Sequence, residues 1–354
     1  MTKELFFFIK NLQVKEIYSI FALKYYIESL LMDIVVCTDK NYVMPCGVML
    51  YSICQNNHDV DITFHIVIDE SVNPSMQNSL GNVVFPESSK KVQFYTVNGN
   101  GYSHLPRLDE TNSKSYITKA AYYPLYLTEI LPKNIDKALF LDCDIIVRHS
   151  LKDLWNTDLG NYSIGVVPDV GEGVIDKYNR LRYPPQKGYF NSGVFLINLR
   201  KWRDEHILMK FTEFMQNHSD WIKLHDQDVL NKVFCDDKLI LPITYNFQEG
   251  FLWNDIFYDY WKYEKQVLAA RKDPVVIHYT DSKPWVEGCC HPFKNEFFKY
   301  QVNTEWAHTP LIKKEHTHKI GRTIKKSIKQ FFRYIGIISP LPTYSPKYID
   351  VENL

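Results

Sequence analysis

The stretch Ala138-Leu139-Phe140-Leu141-Asp142-Cys143-Asp144-Ile145-Ile146-Val147 sets two carboxylates, one residue apart, between two apolar runs. Short aliphatic runs bounded by polar residues read as a strand buried on both faces. Carboxylates are almost never fully buried unless they are paired or hold a metal. Alternate residues of an extended chain point the same way, so Asp142 and Asp144 can aim at one divalent cation, a common means of gripping a diphosphate. An Asp-x-Asp (DxD) motif alone fits equally well with two polar residues closing a strand, and the flanking sequence has to decide.

Upstream, Lys137–Leu141 reads as the strand that delivers the two aspartates, preceded by a helix over Thr118–Leu131 that Pro132 ends. Further strands are expected at Asp33–Cys37, Asp61–Ile68 and Val92–Val97, with helices at Tyr42–Cys54 and Pro74–Leu80. Downstream, Tyr162–Val167, Tyr189–Leu199 and Pro274–His278 read as strands, and Gly171–Lys187 as a polar Gly/Pro-rich loop. Trp202–Gln216 reads as one amphipathic helix, and Asp226–Asn231 opens another. Repeated alternation of strand and helix argues for an α/β layered sheet. Ligands of such sheets sit beyond the carboxyl ends of the strands, where both Thr38-Asp39 and Asp142-Cys143-Asp144 fall.

Length and composition narrow the function classes. The chain has 354 residues, with 41 Lys+Arg balancing 41 Asp+Glu, so no general affinity for nucleic acid is indicated. Seven cysteines lack zinc-ligand spacing and mostly lie in apolar runs, which points to reduced thiols in a cytoplasmic protein. Residues 1–31 are apolar but interrupted by Lys10, Lys15, Glu16, Lys24 and Glu28, so no run reaches the roughly 18 residues of a membrane span. They are read as an extension, followed by a catalytic domain at 32–300 and a basic tail at 301–354. Between Lys313 and Arg333 the tail carries basic residues near helical spacing, with Ile320, Ile324, Ile328 and Phe331 between them and Glu315 as the only acid. That pattern suits either a helix lying on the inner membrane surface, giving peripheral attachment, or a solvated terminal helix packed on its own domain.

Six blocks occur in order: Cys37-Thr38-Asp39-Lys40-Asn41-Tyr42, Leu139 to Val147, Leu154-Trp155-Asn156-Thr157-Asp158-Leu159, Tyr189-Phe190-Asn191-Ser192-Gly193-Val194, Asp226-Gln227-Asp228-Val229-Leu230-Asn231, and His278-Tyr279 with Lys283-Pro284-Trp285. Over Met32 to about Phe298 the sequence thereby resembles glycosyltransferase family 8, in particular the bacterial lipopolysaccharide α-galactosyl- and α-glucosyltransferases. The resemblance implies a GT-A (nucleotide-diphospho-sugar transferase) fold, a mixed central sheet flanked by helices. It also implies hexose transfer with retention from UDP-galactose or UDP-glucose to a glycan or glycolipid acceptor, dependent on Mn²⁺ or Mg²⁺. Asp142, Asp144 and His278 would be the cation's protein ligands, a mixed carboxylate–imidazole set suited to Mn²⁺. Lys283 would face the leaving diphosphate. Asp39, Asn41 and Tyr42, with the backbone of Cys37 and Thr38, would hold uracil and ribose, and Cys143 belongs to the same donor-binding set. Asn191, Asp226 and Gln227 would face the donor sugar, with Gln227 on its β-face. Asp169 would be an acceptor-side acid, and the loop Gly171–Lys187 would fold over bound donor.

Two positions depart from the family pattern. Tyr122-Tyr123-Pro124-Leu125 stands where many members carry Arg, and Asp281 stands where a relative has Gly near the diphosphate. Other readings are a transferase acting on a protein or soluble-sugar acceptor, a nucleotidyltransferase, and a non-catalytic UDP-sugar-binding protein. The nucleotidyltransferase would need a Gly-rich N-terminal loop, and Cys37–Tyr42 contains no glycine. The binding protein would not need every sugar-facing position retained.

Overall fold

Ile34 and Val36 of strand β1 (Leu31–Thr38) face one hydrophobic core and Val35 faces another, so this strand divides the molecule into layers. A computed structural model describes residues 31–84, 89–97, 119–253 and 260–313. The expected N-terminal extension, apart from Leu31, and the basic tail helix beyond Lys313 lie outside them. The remaining strands are β2 (Asp61–Asp69), β3 (Lys90–Val97), β4 (Lys137–Leu141), β5 (Ile145–Val147), β6 (Ile164–Pro168), β7 (Phe190–Asn198), β8 (Lys238–Ile240), β9 (Phe247–Gln248) and β10 (Val276–His278). Seven of them form a mixed sheet in the order β3-β2-β1-β4-β7-β6-β8. β1 runs parallel to β2 and β4, and β7 runs antiparallel to both of its neighbours. Stacking of Phe140 on Phe195, with ring centroids 4.7 Å apart, closes the β4–β7 seam.

A second sheet, β5-β10-β9, grows directly out of the aspartate pair. β5 and β10 are antiparallel with Ile145 opposite His278. The Asp142 N–H donates to the Gly193 carbonyl (2.8 Å), and the Asp144 carbonyl accepts from the Tyr279 N–H (2.9 Å). The segment between the two carboxylates therefore passes from one sheet to the other.

Helices α1 (Val43–Asn56) and α2 (Pro74–Val84) cover one face. Pro45 sits in the first turn of α1, where backbone N–H groups have no intrahelical acceptor. The Asn73 side chain accepts from the Met76 N–H (3.0 Å) at the start of α2.

Four expectations change. The supposed loop Gly171–Lys187 contains helix α3 (Ile175–Leu181) and a 3₁₀ turn at Pro185–Lys187. Its glycines and prolines only flank an apolar-periodic core. The single helix over Trp202–Gln216 is two, α4 (Leu199–Asp204) and α5 (Ile207–Asn217), because His206 adopts a left-handed conformation (φ 51°) between them. The helix expected at Thr118–Leu131 is a 3₁₀ segment over Lys119–Tyr126 holding Pro124, followed by one α-turn at Leu127–Ile130; Thr118 lies outside the described residues. Proline removes an i→i−4 hydrogen bond, which accounts for the tighter winding.

The packed domain also runs beyond residue 300. Ile312 donates its N–H to the Trp285 carbonyl (2.8 Å), and its carbonyl accepts from the Glu287 N–H (2.9 Å). Trp306 lies so close to α1 that a Cβ on Gly47 would run into its ring. The other helices are α6 (His225–Val233), α7 (Tyr260–Lys272) and α8 (Lys294–Gln301).

Candidate active site

Parallel strands β1 and β4 end side by side, and the turn after β1 and the aspartate segment after β4 open into one cleft of ≈ 320 Å³. That size is in the range of small-molecule sites. Cys37, Thr38, Asp39 and Tyr42 line it from the turn, Asp142, Cys143 and Asp144 from the crossing segment, and Asn191 from β7. Asp226 and Gln227 enter from the first turn of α6, and His278 and Lys283 from the end of β10 and the turn after it. Sequence reasoning thus reached most of the lining.

Asn41 stands apart: it is exposed and outside the lining, and its N–H donates to Asp39 Oδ1 (2.7 Å). Asp39 therefore closes its own turn, and α1 begins four residues later without a side-chain cap. Tyr42 is held edge-on by Trp285, ring centroids 6.0 Å apart. Asp169 is also outside the lining, one layer behind Gln227. Its Oδ2 accepts from Gln227 Nε2 (3.2 Å) and Asn191 Nδ2 (3.5 Å), and its Oδ1 from Lys177 Nζ (2.6 Å) and the Gly171 N–H (2.8 Å). With both oxygens occupied by protein donors, it supports Gln227 rather than presenting an open face to an acceptor.

Ligand atoms of Asp142, Asp144 and His278 lie within 4.8 Å of one another, the spacing a shared ion needs. His278 Nε2 is 3.1 Å from Asp144 Oδ1 and 3.7 Å from Asp142 Oδ2. Its Nδ1 lies 2.9 Å from the Asn246 side-chain oxygen, which only accepts, so Nδ1 carries a proton and Nε2 is the nitrogen turned toward the carboxylates. With Nδ1 held as a donor, Nε2 is the nitrogen a metal would take. Gly193 makes room: a Cβ there would stand 2.7 Å from His278 Nδ1 and 2.8 Å from Asp142 Oδ2. The donor set and its cradle fit a divalent cation.

Four carboxylates (Asp39, Asp142, Asp144, Asp226) line the cleft against one lysine, Lys283. Lys283 Nζ sits 2.5 Å from Asp144 Oδ2 and also donates to the Tyr279 carbonyl. Desolvation by the cleft walls and the charge of Asp144 hold the Asp142 carboxyl above the ordinary range, with His278 opposing. For Asp144 burial also works upward, but Lys283 and His278 together outweigh it and hold that carboxyl low. Burial pushes Asp226 up to about 7.

Three features escaped sequence reasoning. Asn246 precedes a two-residue strand and carries no motif. Leu224 and His225 line the cleft, His225 left-handed at φ 48° with Nδ1 3.3 Å from the Tyr122 hydroxyl. Ala120, Ala121, Pro124, Phe140, Ser192 and Thr280 complete the lining. Of the two departures, Pro124 is a wall residue, whereas Asp281 is exposed, outside the lining, with its N–H on Glu249 (3.3 Å).

Two outcomes follow for the cation. Gly193→Ala should fold, because the added methyl meets only side chains, yet weaken Mn²⁺ binding by at least about tenfold; calorimetric titration giving unchanged affinity would contradict the cradle. Because Asp142 must shed a proton to ligate, Mn²⁺ affinity should rise with pH above the ordinary carboxylate range, with net proton release. Affinity independent of pH and of buffer ionisation enthalpy would refute that coupling.

The family model described as Glycosyl transferase family 8 matches residues 33–289. General stress protein A of Bacillus subtilis is 29% identical over 280 residues, covering 78% of this chain and 95% of that protein. Lipopolysaccharide glucosyltransferase WaaO of Escherichia coli is 27% identical over 318 residues, covering 87% and 88% respectively. Among solved structures, galactosyltransferase LgtC in complex with donor and acceptor sugar analogues superposes with a TM-score of 0.68 at 26% identity, covering 77% of this chain and 96% of that one. The family match takes in the aspartate pair, the cleft walls from both sheets and His278, and this chain belongs to glycosyltransferase family 8, a glycosyltransferase of GT-A fold.

Proposed function

We propose that the enzyme transfers galactose or glucose from a UDP-sugar, with retention and in the presence of Mn²⁺, to the core of lipopolysaccharide or a similar surface glycan. The observation that carries this reading is the Asp142–Asp144–His278 set at the floor of an acidic cleft. An acidic cleft repels a diphosphate unless a cation offsets its charge, and the ligand set is suited to one. The names of WaaO and LgtC favour a hexose donor and a saccharide acceptor.

The cation, when bound, supplies Lewis-acid stabilisation of charge on the departing diphosphate. Lys283, the cleft's own ammonium, adds a donor to a phosphate oxygen. A unit charge pair at ~4 Å is worth on the order of 4 kcal/mol in a partly screened site, a rate factor of about a thousand. Thr38, Asp39 and Tyr42 hold the nucleotide at the end of β1.

Gln227 presents its amide to the sugar, with Oε1 fixed by Asn191 Nδ2 and the Ser192 N–H, each 3.2 Å away. Its carbonyl dipole then stabilises positive charge at the anomeric carbon as the bond to phosphate opens. A carboxylate nucleophile is poorly provided. Asp228 is fully buried and accepts from both Arg180 terminal nitrogens (2.7 and 3.1 Å), the Tyr189 hydroxyl and the Lys223 and Leu224 N–H groups. Asp169 is likewise saturated, and Asp226 is partly protonated near neutrality. These constraints favour front-face transfer through an ion-pair-like state over double displacement.

We also propose peripheral attachment to a membrane surface through the basic residues of 313–333, a reading that rests on their sequence pattern. No helix among the described residues is long and apolar enough to cross a membrane.

Asp144→Ala should abolish Mn²⁺-dependent hydrolysis and transfer in a screen of UDP-galactose against UDP-glucose, since it removes several kcal/mol of transition-state stabilisation. Activity within about threefold of the unsubstituted enzyme would reject the metal role. Deleting residues 314–354 should release the protein from membrane fractions, and unchanged sedimentation with membranes would refute attachment by the tail.

A further inference from the structure

Behind the cation ligand His278 a line of buried side chains runs across the molecule to helix α3. His278 Nδ1 meets Asn246 Oδ1 (2.9 Å), and Asn246 Nδ2 donates to Asn191 Oδ1 (2.8 Å). Asn191 Nδ2 donates to Gln227 Oε1 (3.2 Å), and Gln227 Nε2 donates to Asp169 Oδ2 (3.2 Å). The line ends where Lys177 of α3 holds Asp169 Oδ1 at 2.6 Å, the two side chains 13% and 11% exposed. Lys177 also stands 4.1 Å from the Tyr189 ring centroid, which fixes its ammonium from a second side.

Three primary amides occupy this line, and each could be turned either way. The carboxylate at the far end, together with two backbone N–H donors along the line, turns them all one way. We propose that the Lys177–Asp169 ion pair is a positioning element that sets the direction of every hydrogen bond in the line, and so the tautomer in which His278 meets its cation. The inference rests on the proposed cation site and extends it to residues beyond the cleft wall.

A carboxylate paired with an ammonium only accepts. Gln227 must then turn its NH₂ to Asp169 and its oxygen to Asn191. Asn191 in turn gives its NH₂ to Gln227 and its oxygen to Asn246, and Asn246 gives its NH₂ to Asn191 and its oxygen to His278. The imidazole is left to donate from Nδ1, which frees Nε2 for the metal. Backbone donors agree with this direction. The Ser192 N–H points at Gln227 Oε1 (3.2 Å) and the Gly193 N–H at Asn191 Oδ1 (2.9 Å). Reversing the line would set NH₂ groups against both. Buried polar groups left without partners are costly, so the line acts as one unit. It also joins the 169–188 segment to the metal centre, which makes seating of α3 a condition for a competent His278.

Asp169→Asn tests the assignment, because the new amide must offer either its NH₂ to Gln227 or its NH₂ to Lys177, and both are donor against donor. The expected results are loss of the hydrogen-bonded Nδ1–H signal of His278 in ¹⁵N NMR of metal-free protein, and Mn²⁺ affinity lowered about tenfold or more in titrations without substrate. Lys177→Met, which keeps the carboxylate but loses its partner, should move both readouts the same way by a smaller amount, and matched thermal melting checks that each variant folds. An unchanged His278 signal in both variants, with Mn²⁺ affinity within about twofold, would overturn the proposal even if transfer fell. Should the unsubstituted protein bind no Mn²⁺ while Asp169→Asn still removes the His278 Nδ1–H signal, the line stands and the metal reading fails.

Discussion

Two aspartates and a histidine from distant parts of the chain meet because the chain changes sheets between Asp142 and Asp144. β4 ends in the large sheet and β5 begins the small one four residues later, paired so that Ile145 lies opposite His278. Gathering two carboxylates in a half-buried position is unfavourable unless positive charge is placed beside them. Lys283 and His278 supply it for Asp144, while Asp142, with its side chain 42% exposed, is left to the cleft. The arrangement suits a dication, and Lys283 and His278 both hold the Asp144 carboxylate in place.

That constraint explains features that otherwise look unrelated. The small sheet is short, yet its middle strand ends on His278 and continues into the Lys283 turn. Gly193 in β7 has no side chain because His278 and Asp142 occupy the space. Glu249, fully buried, accepts from the Ser282 N–H (2.5 Å) and hydroxyl (2.9 Å) and so pins the turn that carries Lys283. Residues 302–313 close over the same turn through Ile312 and Trp285, whose ring also braces Tyr42. The turn after β1, the Asp142–Asp144–His278 cluster and Lys283 are therefore parts of one packed unit. Arg180, donating through two nitrogens to buried Asp228, locks α3 onto α6 in the same way. Removing one partner of such a buried pair costs on the order of 3–5 kcal/mol.

Much of this was legible in the sequence, for definite reasons. Strands buried on both faces, such as Ile34–Val36 and Ala138–Leu141, announce themselves as apolar runs, and the polar residues at their carboxyl ends mark the site. The clustering of Asp142, Asp144 and His278 and most of the cleft lining followed from that and from the family blocks. What stayed hidden depends on packing rather than pattern. Nothing local to Asn246 distinguishes it from any polar loop residue, since its role comes from facing His278 and Asn191 across the fold. Asp169 was expected on the acceptor side and not behind Gln227, because its place there depends on Lys177 reaching back from α3. The break at His206 and the helix inside Gly171–Lys187 were missed because one left-handed residue, or flanking glycines and prolines, outweighs periodicity over so short a span. Strands of two or three residues, β8 and β9, exist only through their partners.

The account stands or falls on where a divalent ion binds. Crystals soaked in Mn²⁺, with data collected above and below the manganese absorption edge, locate it without reference to activity. The prediction is a single anomalous peak within bonding distance of an Asp142 oxygen, an Asp144 oxygen and His278 Nε2, with Lys283 moved off Asp144. No peak there at saturating Mn²⁺, or a peak elsewhere in the cleft with His278 still turned to Asp144, would contradict it.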